Sequence, residues 1–352
     1  MHQSEIPKMF GHPKGLFYLF FAELWERFSF YGMKALLIMY MTKQLLYTDE
    51  MSFGVFAAYG SLVYATPPIG GIIADKILGY RKAIIWGGIL MAAGHLVMAI
   101  ESEVFFYTAL ALIIVGNGFF KPNISSFVGA LYKGDESKED AGFTIFYLGI
   151  NLGGMLAPLL CAWLGEEYGW HYGFGLAGVG MIVGLLVFQS GIKSQVFGEK
   201  GLQPLSGNEQ TITKSSKKEK WVVGFSLLAV PFFALLVCFY QYEHYLMTAL
   251  LIALGLFIIK IGSEVSKAER QRLAVAVYFT LLATLFWAIF EQAGSSITLF
   301  TDRNVNLTFL NASQTNSINS FYIIALAIPF SNQICFVYDG SLVSAEFYWR
   351  SH

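Results

Sequence analysis

Residues 23–34 read Glu-Leu-Trp-Glu-Arg-Phe-Ser-Phe-Tyr-Gly-Met-Lys and place four charges in the middle of a segment, 17–46, that is otherwise mostly apolar and aromatic. That segment is long enough to cross a bilayer, which needs about 20 predominantly apolar residues. Within roughly 140° of arc on one side of a helix lie Glu23, Glu26, Arg27, Tyr31 and Lys34. A charge at bilayer depth costs about 2.5 kcal/mol or more and usually faces a bundle interior or a transport pathway. The stretch therefore predicts the polar lining of a membrane transporter.

The composition of the whole chain supports a membrane protein. Hydrophobic residues make up 55% of the sequence and charged residues 13%, whereas soluble domains carry about 25% charged residues. The 35 glycines are typical of membrane helices that pack closely. The alternative, an i, i+4 Glu–Arg pair on the surface of a soluble helix, is worth only about 0.3–0.5 kcal/mol and does not suit such a chain.

Several classes of partner and activity lack support in the sequence. The net charge of −1 favours neither a nucleic acid nor an anionic surface as partner. The three cysteines have no metal-ligand spacing, and no nucleotide-binding motif or nucleophile–base arrangement is present. We therefore expect no enzyme activity, no nucleotide, no metal site and no cofactor.

Hydropathy and helix-breaking residues divide the chain into five parts. These are six apolar runs of an N-terminal bundle at 1–191, a polar connection at 192–220, a transmembrane hairpin and basic turn at 221–272, further apolar helices at 273–331, and a tail at 332–352. The ten predicted apolar runs are 16–46, 51–76, 81–100, 104–131, 141–164, 169–191, 221–240, 245–262, 273–300 and 317–338.

The charges between the first six runs alternate in sign along the chain. Lysine and arginine precede the first run and follow the second, fourth and sixth, whereas the intervening connections carry only acidic charges. Because cytoplasmic loops hold the excess of basic residues, the pattern predicts a cytoplasmic N-terminus.

Two kinds of motif connect the chain to known transporters. Residues 70–82, with Gly70, Gly71, Asp75 and a basic end, resemble the cytoplasmic loop of the major facilitator superfamily. More specifically, residues 23–32 resemble the ExxERFxYYG motif of the proton-dependent oligopeptide transporter (POT) family, and residues 116–132 and 286–295 resemble its fourth and seventh helices. The hairpin at 221–262 is similar to an insertion found in bacterial members of that family.

The resemblance implies an all-α integral membrane protein with the major facilitator fold, in which two bundles rock about a central site. The N-terminal bundle would be complete and the C-terminal bundle incomplete, because residues 332–352 no longer resemble the family. We therefore expect a C-terminally truncated member, a multi-pass protein in the inner membrane of a bacterium that transports di- and tripeptides together with protons.

The resemblance also assigns roles to particular residues. Arg27 would bind the carboxylate of a peptide, since a guanidinium binds carboxylates bidentately. Proton coupling would involve Glu23, Glu26, Arg27, Lys34, Lys121 and Glu291, and the substrate pocket would include Arg27, Tyr31, Lys34, Tyr64, Lys121, Asn151, Glu291 and Asn319.

Each assignment has a structural alternative. The side chain of Lys121 could snorkel towards the membrane surface, and Glu291 could be a neutral packing group in the middle of a helix. The implied partner of Glu291 is Lys34, at a position where the family more often has arginine. For the whole chain, one alternative is a transport-inactive fragment and another is a symporter of a different small solute.

Overall fold

The computed structural model describes residues 7–133, 138–203 and 209–327, and only the backbone of residues 209–216. The predicted tail at 332–352 lies outside these residues, as does the predicted run 317–338 beyond residue 327. The described chain is helical apart from its turns and one short antiparallel pair, β1 Lys8–Met9 and β2 His12–Pro13.

The six crossings of the N-terminal bundle contain eight helices. They are α1 Lys14–Met39, α2 Asp49–Ala65, α3 Pro67–Ile73, α4 Gly79–Met98, α5 Glu103–Tyr132, α6 Glu139–Ala157, α7 Trp163–Tyr168 and α8 Trp170–Lys193. Wider π-helical turns extend α1 through Tyr40–Gln44, α3 through Ala74–Leu78 and α6 through Pro158–Ala162. The second predicted run is interrupted at Thr66, since the prolines at the start of α3 cannot donate a backbone hydrogen bond.

The bundle is organised around α1, which packs between α6 and α8, while α4 packs along α5. Leu16 and Leu36 of α1 are fully buried in the same core as Ile113 of α5 and Phe174 of α8. Since α1 is surrounded in this way, its charged face lies inside the protein rather than against lipid.

The predicted hairpin is present as α9 Glu209–Cys238 and α10 Tyr240–Glu264. Helix α9 packs against α5, and α10 packs against α2. The predicted polar connection at 192–220 is shorter than expected, because α9 already begins at Glu209 and includes the second half of that range. Residues 209–223 contain neither glycine nor proline, so nothing in their sequence interrupts the helix there.

A tight turn joins the π-helical end of α3 to α4. Gly79 has a φ of +71°, a left-handed conformation that glycine adopts without steric cost. Arg81 follows, and its Nε and Nη2 donate hydrogen bonds to the carbonyls of Lys200 and Gly198 at 2.8 and 2.5 Å. The motif at 70–82 thus makes the turn and holds the connection after α8 against the bundle.

The chain after the hairpin contains two helices and a turn before the last loop, α11 Lys267–Phe290, a 3₁₀ turn at Glu291–Gly294 and α12 Ser296–Asn304. A second 3₁₀ turn at Ser313–Asn316 leads to a helix, α13, from 317 to 327. The predicted run 273–300 is therefore not one helix. Glu291 follows the last residue of α11 and is not in mid-helix as expected, because Gly294 interrupts the helix.

Six helical segments of the described chain are long and apolar enough to cross a membrane. They are Glu103–Tyr132, Glu139–Tyr168, Trp170–Lys193, Lys217–Cys238, Tyr240–Glu264 and Lys267–Gly294.

Candidate functional site

Three charged side chains of α1 form a buried cluster with a lysine of α5. Glu23 and Glu26 are fully buried and Arg27 is 5% exposed. Arg27 donates two hydrogen bonds to Glu26, one of them from Nη2 to Oε1 at 2.5 Å, and its Nε lies 3.4 Å from Glu23 Oε1. Lys121 reaches the same oxygen of Glu23. Lys121 therefore pairs with the cluster as the resemblance implies, and its ammonium group does not snorkel away.

A second charged group joins α1 to the end of α11. Lys34 Nζ donates to Glu291 Oε2 at 2.6 Å, and the hydroxyl of Tyr64 donates to Glu291 Oε1 at 3.2 Å. The ammonium of Lys34 also lies 5.7 Å from the centre of the Phe56 ring. The partner that the resemblance implies for Glu291 is thus in place, and both oxygens of this carboxylate are engaged.

Tyr31 lies beside the first cluster. Its ring centre is 5.7 Å from the guanidinium carbon of Arg27, and the ring of Phe30 is 5.0 Å away on the same cation. On α1, Tyr31 comes one turn after Arg27 and one turn before Lys34, on the same face of the helix. The two charged groups therefore belong to one site, with Tyr31 between them.

The two predicted asparagines are placed differently. Asn151 is 5% exposed, and its amide donates to the backbone carbonyl of Tyr147 one turn earlier in α6, at 3.0 Å. Asn319 is exposed on α13. Neither amide hydrogen-bonds to the charged side chains of the site. The contacts above join the other eight predicted residues, whereas the role of these two asparagines in the pocket stays a prediction.

An open cavity of about 1040 Å³ lies between α2 and α11. Glu291 and Tyr64 line it together with Phe56 and Trp287. The carboxylate of Glu291 is therefore at the surface of a space large enough for a small solute, since ligand pockets commonly measure about 300–1,000 Å³.

Two further ion pairs, which the sequence did not predict, join the N-terminal bundle to α12. Lys43 Nζ lies 2.7 Å from Asp302 Oδ1. Arg303 binds Asp49 with both terminal nitrogens, at 2.6 and 2.7 Å. The partners are more than 250 residues apart in the chain, and no local pattern in one sequence indicates such a pairing.

Comparison with known proteins identifies the family. The sequence model of the POT family matches residues 81–337, well over half of the chain. The chain belongs to the POT family. This match confirms the resemblance to the POT family. The prediction of a transporter rather than an enzyme is also confirmed, because the similar proteins described below are transporters.

Three bacterial transporters are similar to the chain over most of its length. It is 38% identical over 340 residues to the uncharacterized transporter YclF of Bacillus subtilis, and 36% identical over 349 residues to the peptide transporter YePEPT of Yersinia enterocolitica. It is 33% identical over 348 residues to a di-/tripeptide transporter of Lactococcus lactis. These alignments cover 90–92% of this chain and 67–68% of the relatives, so the chain spans about two thirds of their length.

Solved structures of POT transporters share the fold. A mutant of a peptide transporter POT in complex with alafosfalin matches with a TM-score of 0.79 and 34% identity, over 93% of this chain and 69% of that one. A POT family transporter bound to a thioalcohol-conjugated peptide matches with a TM-score of 0.76 and 31% identity, over 94% and 71%. The predicted all-α integral membrane fold is confirmed, and this POT protein is a multi-pass membrane protein.

Proposed function

We propose that this POT protein is a proton-coupled symporter of di- and tripeptides that works by alternating access. One observation carries the proposal: an arginine held by two buried carboxylates lies in the same site as an ion pair that joins α1 to the end of α11. The first arrangement suits a carboxylate substrate, and the second suits a proton. Relatives that are named as peptide transporters support the same substrate class.

Arg27 is the proposed partner of the peptide carboxylate. Its guanidinium now binds Glu26 through two nitrogens, the geometry in which arginine also binds other carboxylates. A peptide carboxylate could replace Glu26 once that side chain takes up a proton. Glu23 Oε2 is buried and has no hydrogen-bond partner in the described part of the chain, which leaves it free to carry a proton as well. Lys121 would balance the charge.

Glu291 is the proposed link between proton binding and movement. A proton on its carboxylate would remove the charge that attracts Lys34 and so weaken the contact between the two parts of the site. The side chains of this pair are only partly exposed, at 15% for the lysine and 30% for the glutamate. Water therefore does not fully replace the attraction that is lost when the pair breaks. Protonation would thereby favour separation of the parts, and deprotonation would restore the pair.

The proposed location is the inner membrane of a bacterium, with the N-terminus in the cytoplasm. The distribution of basic residues supports this orientation, and the bacterial sources of the three relatives support the location. An inward proton gradient would then drive peptide uptake.

The test is uptake of labelled dialanine by the purified full chain in proteoliposomes, with and without an inward proton gradient. We expect the gradient to accelerate uptake and excess unlabelled peptide to compete. The variant Glu291→Gln should abolish the acceleration by the gradient while peptide exchange across the membrane continues. Glu50→Gln, which changes an exposed carboxylate outside the site, is the matched control and should behave as the unaltered protein.

Three results would contradict the proposal. Gradient-driven uptake of another small solute that peptides do not inhibit would establish a different cargo. Absence of any uptake by folded, monodisperse protein would favour the transport-inactive alternative. Unchanged acceleration in Glu291→Gln would show that the proton is carried elsewhere.

A further inference from the structure

A second cavity, of about 740 Å³, lies outside the charged site, between the N-terminal bundle and the inserted hairpin. Its walls come from α3 and its π-helical extension, from α5, and from α9. Its lining is apolar over most of its length, with Ile69, Phe119 and Phe233 as examples. We call it the hairpin groove.

The walls of the hairpin groove are held in place. At its floor, Gly70 of α3 and Gly118 of α5 face each other so closely that a Cβ at Gly70 would overlap the carbonyl of Gly118. On the other side, Trp86 Nε1 donates to Ser226 Oγ at 2.9 Å and fixes α9 to α4. The helices on both sides of the groove are therefore anchored to the N-terminal bundle.

One end of the hairpin groove is basic. Lys76 and Lys218 line it there, together with the exposed indole of Trp221. In the described part of the chain neither ammonium group has a hydrogen bond or an ion pair. Lys82 is already paired, because its Nζ lies 2.8 Å from both oxygens of Glu219. Two cations are thus left for a ligand.

We propose that the hairpin groove binds an anionic glycerophospholipid, with an acyl chain along the apolar walls and the phosphate at Lys76 and Lys218. The neighbouring helices cross the membrane, so the surroundings of the groove are acyl chains. Basic pockets between membrane helices recognise anionic headgroups, and a tryptophan at this level suits the boundary between headgroup and chain. The bound lipid would join the hairpin to the bundle.

The test measures lipid binding to the full chain and does not depend on peptide transport. Purified protein is titrated with phosphatidylglycerol or with phosphatidylcholine carrying the same acyl chains, and bound lipid is counted by native mass spectrometry. We expect phosphatidylglycerol to bind about tenfold more tightly, because each lysine near an anionic headgroup contributes enough to change affinity severalfold.

Three double variants and two single variants separate this site from lipid bound at random. Lys76→Gln with Lys218→Gln should remove the preference, and Lys76→Arg with Lys218→Arg should retain it. Lys217→Gln with Lys220→Gln, which changes neighbouring lysines outside the groove lining, should have no effect. Ala229→Trp should block the acyl position in the groove, whereas Leu228→Trp, on an exposed position of the same helix, should not.

The proposal is overturned by equal affinity for the two lipids or by a preference that survives the loss of Lys76 and Lys218. It is also overturned if Ala229→Trp binds phosphatidylglycerol as well as Leu228→Trp does. Size-exclusion profiles and melting temperatures that match the unaltered protein establish that each variant is folded before its lipid binding is compared.

Discussion

At the scale of single residues, the buried charges of α1 persist because each one has a partner. Removing one member of such a pair leaves a charge in a poorly hydrated place, which is far more costly than losing the pair as a whole. Helical periodicity in the sequence was enough to place Glu23, Glu26 and Arg27 on one face. It could not choose between Glu23 and Glu26 as the partner of Arg27, and the structure gives Arg27 two hydrogen bonds to Glu26.

The planar guanidinium group of Arg27 leads to a prediction about the affinity for peptide. Arg27→Lys keeps the charge but loses bidentate binding. We expect the KM for dialanine to rise at least about tenfold, because the loss of one hydrogen bond to a charged group weakens binding by about that factor. The measurement is uptake by proteoliposomes at several peptide concentrations. Glu50→Gln, which changes an exposed carboxylate outside the site, is the control, and an unchanged KM in Arg27→Lys would contradict the proposed contact with the peptide.

At the scale of helices, small residues decide how closely the bundle packs. Gly87 of α4 is one example, because a Cβ there would lie 2.6 Å from the carbonyl oxygen of Gly116 in α5. Close contacts of this kind stabilise helices in a membrane, where lipid offers no hydrophobic drive for association. The abundance of glycine predicted close packing in general, but only the structure identifies which glycines are in contact.

Gly70 and Gly60 form a matched pair for testing this packing. Gly70→Ala places a methyl group against the backbone of α5, so we expect α3 and α5 to separate at a cost of about 1–3 kcal/mol. Gly60→Ala, in α2, meets nothing within 4 Å and should leave stability unchanged or slightly increased. Thermal unfolding in detergent measures both, and equal melting temperatures would contradict the close contact.

At the scale of the whole molecule, α12 is fastened to the N-terminal bundle at the end that carries Lys43 and Asp49. The ion pairs to Asp302 and Arg303 lie on the same side of the site as the acidic connections of the sequence. Together with Lys34 and Glu291 they close this end of the interface. In the proposed transport cycle, all three pairs would have to separate for the site to open there.

The pair between Asp49 and Arg303 leads to a prediction about pH. Hydrogen bonds from Arg303 lower the pKa of Asp49, which precedes the second predicted membrane run. Since this pKa is lowered by folding, the stabilisation is complete above the ordinary value of about 3.9 and is lost only as the pH falls through the lowered pKa. The contribution of the pair should therefore be constant between about pH 5 and pH 8.

Hydrogen–deuterium exchange of α12 tests this contribution. Asp49→Asn should accelerate exchange of the amides of Ser296–Asn304 by about twofold, as expected for an exposed ion pair, and by the same factor at pH 6 and pH 8. Glu50→Gln, which alters the neighbouring exposed carboxylate, should leave exchange unchanged. A factor that differs between the two pH values would mean that another titrating group controls this contact.

The sequence alone determined the number and order of the first membrane runs, the shared face of the α1 charges and the family. These features follow from local hydropathy and periodicity, which are properties of neighbouring residues. Tertiary structure decided the ion pairs that fasten α12 to the N-terminal bundle and the walls of the hairpin groove. Each of these depends on which helices come into contact across more than a hundred residues, and such contacts are selected by packing rather than by local pattern.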